Sequence, residues 1–475
     1  MQQDSHQQHG TQQNDPGVFA IEGNAIDYVP PQQRHGKAKD LFTLWFCTNV
    51  APLAVITGAM SVMVFKLDVV SALLAIAAGH LFGAIVLALT SAQGPLAGIP
   101  QMIQSRAQFG RYGSLLVVLF TTIIYLGYFV SNIILSGKTL HTVVPAIPVS
   151  VATVIGAALA TLIGVVGYHL IHVFNRIGAW FMGSALLIGF ALMIPHLTPE
   201  VLQQGGFSAA AWFSMFGICA VWQISFAPYT SDYSRYLPLA EGRVKPFVYT
   251  YLGASLGTIF SFLFGMVAVS IGNHGDAMDA VKAHTGVFGL VLMVLFLCNI
   301  IGHNAMNLYG AVLSFITAIQ TFAADWVPKR GARIAMSMIV LVLATGSALW
   351  ASSDFVSLFI SGVFAILFVM APWVSINLFD FYVLHRNGYD TRSIFAADGG
   401  VYGRFNTRAI VAYVIGIVVQ VPFLKNQWFE GVWADSIAGV DVSWVFGIAA
   451  SAIACVLFHC IRPLPRYTPV GQPQI

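Results

Sequence analysis

The chain has 475 residues, of which 57% are hydrophobic and 9% charged, against about one quarter charged in a soluble domain. This weighs against a water-soluble enzyme. Lys and Arg number 22 against 19 Asp and Glu, a formal net charge of +3, too balanced for a nucleic-acid binder. Cys47, Cys219, Cys298, Cys455 and Cys460 lie in apolar runs without metal-ligand or disulfide spacing, and read as small buried hydrophobes. The composition is that of a polytopic membrane protein.

In chain order, the Gln- and His-containing start from Met1 to about Asn14 has no apolar core. It reads as a disordered tail, not a signal peptide. A membrane-crossing helix needs roughly 20 apolar residues. Charged residues delimit twelve candidates: 41–65, 69–92, 114–137, 149–168, 176–197, 210–231, 247–271, 286–321, 334–353, 355–379, 409–424 and 441–461. The eighth is long, with no turn signal or charge dividing it, and the eleventh is short. With both termini inside, 18 of the 22 Lys and Arg fall on cytoplasmic segments, leaving Lys66, Lys138, Lys282 and Lys425 outside. Lys/Arg bias sets orientation, and one span more or fewer would scramble this alternation. The longest polar connection, about 380–408, is cytoplasmic, and no soluble domain is expected.

Two spans carry a mid-helix proline shortly after a polar residue. Span 1 reads Thr48-Asn49-Val50-Ala51-Pro52, and span 6 reads Ser225-Phe226-Ala227-Pro228-Tyr229. Proline removes an amide donor and clashes with the preceding turn. Lipid cannot satisfy the freed carbonyls, so such breaks survive only where buried or lining a cavity. Two interrupted helices five spans apart, entering from opposite sides, match an inverted five-plus-five repeat with a site at the centre.

No Asp, Glu, Lys or Arg lies at the midplane of any span; His80 and His303 do lie deep. The deep polar inventory is Asn49, Tyr128, Asn132, Trp222, Gln223, Phe226, His303, Asn304 and Asn307. Amides both donate and accept and aromatic rings offer flat faces, which suits a small, flat, uncharged heterocycle. Tyr128 and Asn132 share one helix face at i, i+4, as do His303 and Asn307. Singly, each could be interhelical polar glue; four spans presenting such groups at similar depth point to a ligand site. Gly94-Pro95-Leu96-Ala97-Gly98-Ile99-Pro100, followed by Arg106 and Arg111, is an irregular cytoplasmic stretch leading back into span 3. It lacks the Gly-Lys-Ser/Thr of a phosphate loop. His169 and His172 at i, i+3 have no third ligand for a metal. Asp232 and Arg235, also i, i+3, are placed to pair at the inner end of span 6.

The chain resembles the nucleobase:cation symporter-1 family, closest to its purine–cytosine permease branch. The resemblance is carried by Gly98-Ile99-Pro100 through Ser105-Arg106-Ala107-Gln108-Phe109-Gly110-Arg111-Tyr112-Gly113, and by Ala227-Pro228-Tyr229-Thr230-Ser231-Asp232-Tyr233-Ser234-Arg235-Tyr236. Asn304-Ala305-Met306-Asn307-Leu308-Tyr309 and Ala371-Pro372-Trp373 add to it, and together these motifs span about residues 20–465. It implies an all-α membrane protein of 12 transmembrane helices with the leucine-transporter-like 5+5 inverted repeat and two peripheral helices. The segments would be a cytoplasmic N-terminal tail at 1–40 and a first repeat at 41–200. A second repeat would occupy 201–384, spans 11 and 12 with their preceding loop 385–462, and a cytoplasmic C-terminal tail 463–475. It also implies cation-coupled uptake of cytosine or a purine by alternating access across a bacterial-type inner membrane.

Carried over residue by residue, Tyr128 falls where the family stacks an aromatic on the base, and Asn132 where a polar residue reads it. Phe226 takes the place of the span 6 aromatic, with Gln223 as the competing alignment, and Asn307 matches the substrate-binding asparagine. Sodium-coupled relatives carry hydroxyls five and six positions before that asparagine; here Gly302 and Ile301 stand there. A hard cation needs several oxygen ligands, so proton coupling is the expectation and sodium the alternative. His303 is the candidate proton acceptor, with Asp232 as a second coupling candidate. No cofactor, metal or nucleic acid is expected, and the unit is read as a monomer in the lipid bilayer. The rivals are a symporter for another small ring (allantoin, hydantoin or vitamin-like), a channel, and a membrane-embedded enzyme. The last needs clustered acid/base groups or metal ligands at membrane depth, which His80 and His303 alone do not supply.

Overall fold

The computed structural model describes residues 25–272, 276–351, 355–386, 388–425, 429–434 and 440–461. Helices occupy all twelve expected positions. Span 1 is split into Lys39–Asn49 and Pro52–Met63, followed by span 2 (Val69–Ser91), span 3 (Leu115–Val143), span 4 (Val149–Val166) and span 5 (Tyr168–Met193). Span 6 (Ala209–Ile224, continued by Thr230–Ser234), span 7 (Val244–Ile271), span 8 (Val287–Phe322), span 9 (Arg330–Ala351) and span 10 (Phe355–Phe379) come next. Span 11 (Thr407–Gln420) and span 12 (Ser443–Ile461) close the order. Among the described residues, nine helices are long and apolar enough to cross a membrane, ten if the bent pair of span 1 counts as one. Span 11 and the described part of span 10 are shorter apolar helices.

Close approach at glycines positions the inner spans. Gly253 and Gly257 of span 7, in a Gly-x-x-x-Gly pair, lie against the main chain of Phe42 and Phe46, where an added Cβ would meet their carbonyls at 2.5 and 2.6 Å. Gly79 and Gly83 of span 2 lie in the same way against Phe216 and Ala220 of span 6. Between membrane helices, whose outer solvent is as apolar as their side chains, such small-residue contact supplies much of the packing attraction. Spans 3 and 8 pack face to face, and spans 11 and 12 pack on each other and on span 10, which also contacts spans 3 and 6.

Four findings correct or extend these expectations. Span 5 begins at Tyr168 rather than 176, so Arg176 lies on an exposed face two turns inside the helix. A long arginine can carry its charge to the interface, and the true boundary is Gly167, at φ +92°. Of the five cysteines, Cys298 and Cys460 are exposed and Cys455 half-buried, while Cys47 and Cys219 are buried; on an outward helix face, an apolar side chain meets lipid and has no need of burial. Residues 1–24 and 462–475 lie outside the described residues, but the rest of the N-terminal tail, 25–38, is packed. Ala25, Ile26 and Val29 are buried, Val29 N–H donates to Gly98 O at 2.8 Å, and Arg34 donates to Val29 O at 3.0 Å and to Pro95 O. The fourth concerns span 6. Span 1 bends by 60° at its break, with Ala51 extended (φ −133°, ψ 155°). Span 6 instead tightens into a 3₁₀ turn over Ala227–Tyr229, and Ser225 and Phe226 keep helical dihedrals.

Between spans 2 and 3, the Gly-Pro stretch forms short helices at Gly94–Ala97 and Gln101–Phe109, the second fully buried. Arg106 donates to Thr317 O at 3.1 Å and Thr321 Oγ1 at 3.0 Å, and Arg111 donates to Thr321 O at 3.0 Å and Gln320 O at 2.6 Å. Arg111 therefore satisfies orphan carbonyls at the C-terminal end of span 8, and Arg106 binds one turn earlier; at this end a cation also opposes the helix dipole.

Candidate functional site

The expected site residues are all at most 3% exposed, and most meet where spans 1, 3, 6 and 8 converge. Trp222 donates its indole N–H to Asn49 Oδ1 at 2.9 Å, and Asn49 Nδ2 donates to Trp45 O at 2.7 Å within its own helix. The rings of Tyr128 and Phe226 lie 5.9 Å apart and nearly parallel, at 13°. Tyr128 OH lies 2.9 Å from Ser225 Oγ, which donates back to Trp222 O at 2.8 Å. Trp222 stands edge-on to Phe226 at 6.2 Å, so spans 3 and 6 build an aromatic box. Span 8 supplies its polar floor: Tyr229 OH donates to Asn307 Oδ1 at 2.7 Å, Asn307 Nδ2 to Asn304 Oδ1 at 3.0 Å, and Asn304 Nδ2 to Phe129 O at 3.1 Å.

Two groups stand out because the protein leaves them unsatisfied. The side-chain nitrogen and oxygen of Asn132 are both buried without a hydrogen-bond partner. His303, whose ring lies 5.8 Å from Phe226, has the Thr48 main-chain oxygen as a neighbour, but neither ring nitrogen makes a well-formed hydrogen bond. A buried polar group left unpaired costs about 1–3 kcal/mol. Such a cost is tolerable where a ligand will repay it, and uncharged amide edges beside flat rings suit a planar heterocycle.

Two expected residues are not gathered there. Gln223 turns toward spans 2 and 7, where Nε2 donates to Thr258 Oγ1 at 2.8 Å and Ala254 O at 3.3 Å, with His80 Nδ1 at 3.4 Å. Asp232 sits in the Thr230–Ser234 segment that ends span 6, and its Oδ1 accepts from Gln101 N–H at 3.0 Å at the start of the Gln101–Phe109 helix. Arg235 donates to Ala25 O at 3.0 Å and to the Tyr309 hydroxyl at 3.3 Å, tying the N-terminal segment to spans 6 and 8. His169 stacks on His35 at 5.1 Å.

Sequence reasoning missed Trp45, Ser225, Tyr229 and Asn299. Asn299, His303 and Asn307 form an i, i+4, i+8 stripe on span 8, so extending the His303–Asn307 pair by one turn would have found Asn299. Trp45 stands one turn before Asn49. Ser225 and Tyr229 flank Pro228 but carry no signal beyond that.

A family model described as permease for cytosine/purines, uracil, thiamine, allantoin matches residues 28–447. Over 442 residues the chain is 35% identical to a Bacillus subtilis (strain 168) protein named as a purine-cytosine permease, YxlA, covering 91% of this chain and 94% of that one. It is 23% identical over 471 residues to the purine-cytosine permease fcyB of Emericella nidulans, covering 93% and 88%. Among solved structures, Mhp1, a nucleobase-cation-symport-1 family transporter in a closed conformation with bromovinylhydantoin bound, matches with TM-score 0.76 at 15% identity, covering 94% of this chain and 98% of that one. A Na+-coupled sialic acid symporter matches at TM-score 0.60 and 12% identity, covering 95% and 94%. These likenesses show the leucine-transporter-like fold, with its inverted repeat and central crossing of spans 1, 3, 6 and 8. The chain belongs to the nucleobase:cation symporter-1 family, in its purine–cytosine permease branch, and is a membrane transporter rather than an enzyme.

Proposed function

We propose that this transporter imports cytosine or a purine base together with a proton, by alternating access across a bacterial-type inner membrane with both termini inside. The reading takes twelve spans and a monomeric unit. The base would sit between the Tyr128 and Phe226 side of the box and the amides of Asn132, Asn304 and Asn307, with Asn49 and Trp222 closing the span 1 side. The observation that carries the proposal is Asn132: a fully buried amide whose side chain has no hydrogen-bond partner, one helical turn from Tyr128 on span 3. Relatives named for purines and cytosine support the substrate class.

His303 is proposed as the proton acceptor, because neither of its ring nitrogens makes a well-formed hydrogen bond and its ring lies 5.8 Å from Phe226 of the box. Asp232 is proposed to help close the cytoplasmic side rather than to hold the base, a reading supported by its bond from the N–H of Gln101. The test is uptake of radiolabelled cytosine in cells, comparing sodium-free buffer with a protonophore. Saturable uptake that persists without sodium and collapses with the protonophore supports the reading. Uptake that needs sodium and ignores the protonophore overturns proton coupling, and competition by a hydantoin or allantoin but not by nucleobases overturns the substrate class.

A further inference from the structure

At the break in span 1, Cys47 O keeps a tighter, 3₁₀-type partner in Val50 N–H at 3.0 Å, while Val50 O lies outside helical pairing, and the membrane interior offers neither of them water. In transporters built on broken helices, unwound carbonyls of this kind coordinate Na+ or H+. Here one side chain from span 8 takes both. Asn299 Nδ2 donates to Cys47 O at 2.8 Å and to Val50 O, while its Oδ1 accepts from Cys47 Sγ at 3.0 Å. An amide nitrogen carries two hydrogens, and this arrangement engages both. Asn299 is 2% exposed and Cys47 and Val50 are 0% exposed.

The surroundings leave little for a metal ion. A Cβ at Gly302 would run into the Phe174 ring of span 5, so position 302 cannot carry a hydroxyl toward the break without displacing that ring. A Cβ at Gly178 would meet Cys47 Sγ at 2.6 Å, so span 5 is also closed against the pair. The crevice between spans 5 and 8 beside Asn299 is lined otherwise by Phe174, Ile177, Gly178, Phe181, Met182, Leu295 and Cys298, none with a side-chain oxygen.

We propose that Asn299 is a tethered replacement for a coupling cation: its amide NH₂ permanently fills the cation position at the span 1 break, so the transport cycle takes no Na+ there. A bound ion would order the break only when present; a covalently attached amide orders it always. The consequence for uptake rests on the proton-coupled reading above, but the strap itself is testable without substrate. The test is the melting temperature of the purified protein in matched NaCl, KCl and choline chloride. The wild type is expected to melt alike in all three. Asn299→Asp places a carboxylate against two carbonyls, which suits a hard cation, and should melt lower in choline and recover selectively in NaCl. In proteoliposomes with an imposed pH gradient, wild-type uptake should be equal with Na+ or choline, and Asn299→Ala should reduce it roughly tenfold or more. A sodium-selective rise in the wild-type melting temperature would overturn the proposal, as would wild-type-level uptake by Asn299→Ala. Absence of any nucleobase uptake would count against the proposed function, and the melting comparison would still decide the role of Asn299.

Discussion

Spans 1 and 6 carry the same sequence signature, a polar residue followed within a turn by proline, yet their backbones differ. Span 1 opens fully, with a 60° bend and an extended Ala51. Span 6 stays wound, its Ser225, Phe226 and Tyr229 amides pairing back to Val221, Gln223 and Phe226 at 2.8–3.2 Å. The difference lies in what the neighbours supply. Asn299 reaches from span 8 to cap two carbonyls of span 1, which makes unwinding affordable. At span 6 the Tyr125 hydroxyl, donating to Pro228 O at 2.9 Å, relieves one carbonyl, and the main chain closes on itself. Proline thus licenses a break, but tertiary donors decide how wide it opens. The two regions divide the labour accordingly: span 1 contributes backbone, and span 6 contributes side chains.

This division can be broken at several points. The largest expected effect is at the shared floor. Asn307→Ala removes a partner from both Tyr229 and Asn304, and each lost bond costs about 1–3 kcal/mol. Uptake should fall roughly tenfold to hundredfold while the protein still reaches the membrane, as read by transport and surface labelling. On the span 6 side, Phe226→Ala removes a flat face; ring–base stacking contributes about 1–3 kcal/mol per base. Apparent substrate affinity should fall about tenfold, whereas Tyr128→Phe, which keeps the ring and loses only the Ser225 bond, should lose far less. On the span 1 side, Gly178→Ala pushes a methyl against Cys47 Sγ. Overpacking of this kind costs about 1–3 kcal/mol and should lower the melting temperature without changing the substrate preference order.

The smallest effect lies outside the membrane and serves as a control. His385 Nδ1 is 3.2 Å from Asp380 Oδ2, which also accepts from Tyr389 OH at 2.8 Å. Burial alone would lower the imidazole pKa, but the Asp380 carboxylate outweighs it, and the net direction is up. A raised folded-state value means that the pair stabilises fully below the ordinary histidine value and is lost as pH rises through the raised one. Wild type should therefore gain melting temperature over His385→Gln as pH falls from about 8 to about 6. An equal response in both proteins would remove the pair from the account.

The twelve helix positions were legible because charged residues in this chain mark most membrane boundaries. Where a charge lay inside a helix, as Arg176 does, the boundary was misread, since an arginine side chain is long enough to reach the interface from within. Tyr128, Asn132 and Asn307 were legible because amides and aromatics at helical spacing are conspicuous in an apolar run. Gln223 was drawn into the same set by composition, yet it faces spans 2 and 7; which way a residue beside an irregular turn points is a tertiary property. Asn299 escaped because a lone asparagine one turn away looks like interhelical glue until the carbonyls it caps are seen. The degree of opening in span 6 was illegible for the same reason: the donors that decide it lie more than a hundred residues away in sequence.

The most direct test of the central site is Asn132→Leu, measured by binding of radiolabelled cytosine to purified protein alongside its melting temperature. The Asn132 side chain makes no hydrogen bond within the protein, so replacing the amide with an apolar side chain of similar size should leave the melting temperature unchanged or higher while binding is lost. Retained cytosine binding by this variant would contradict the account.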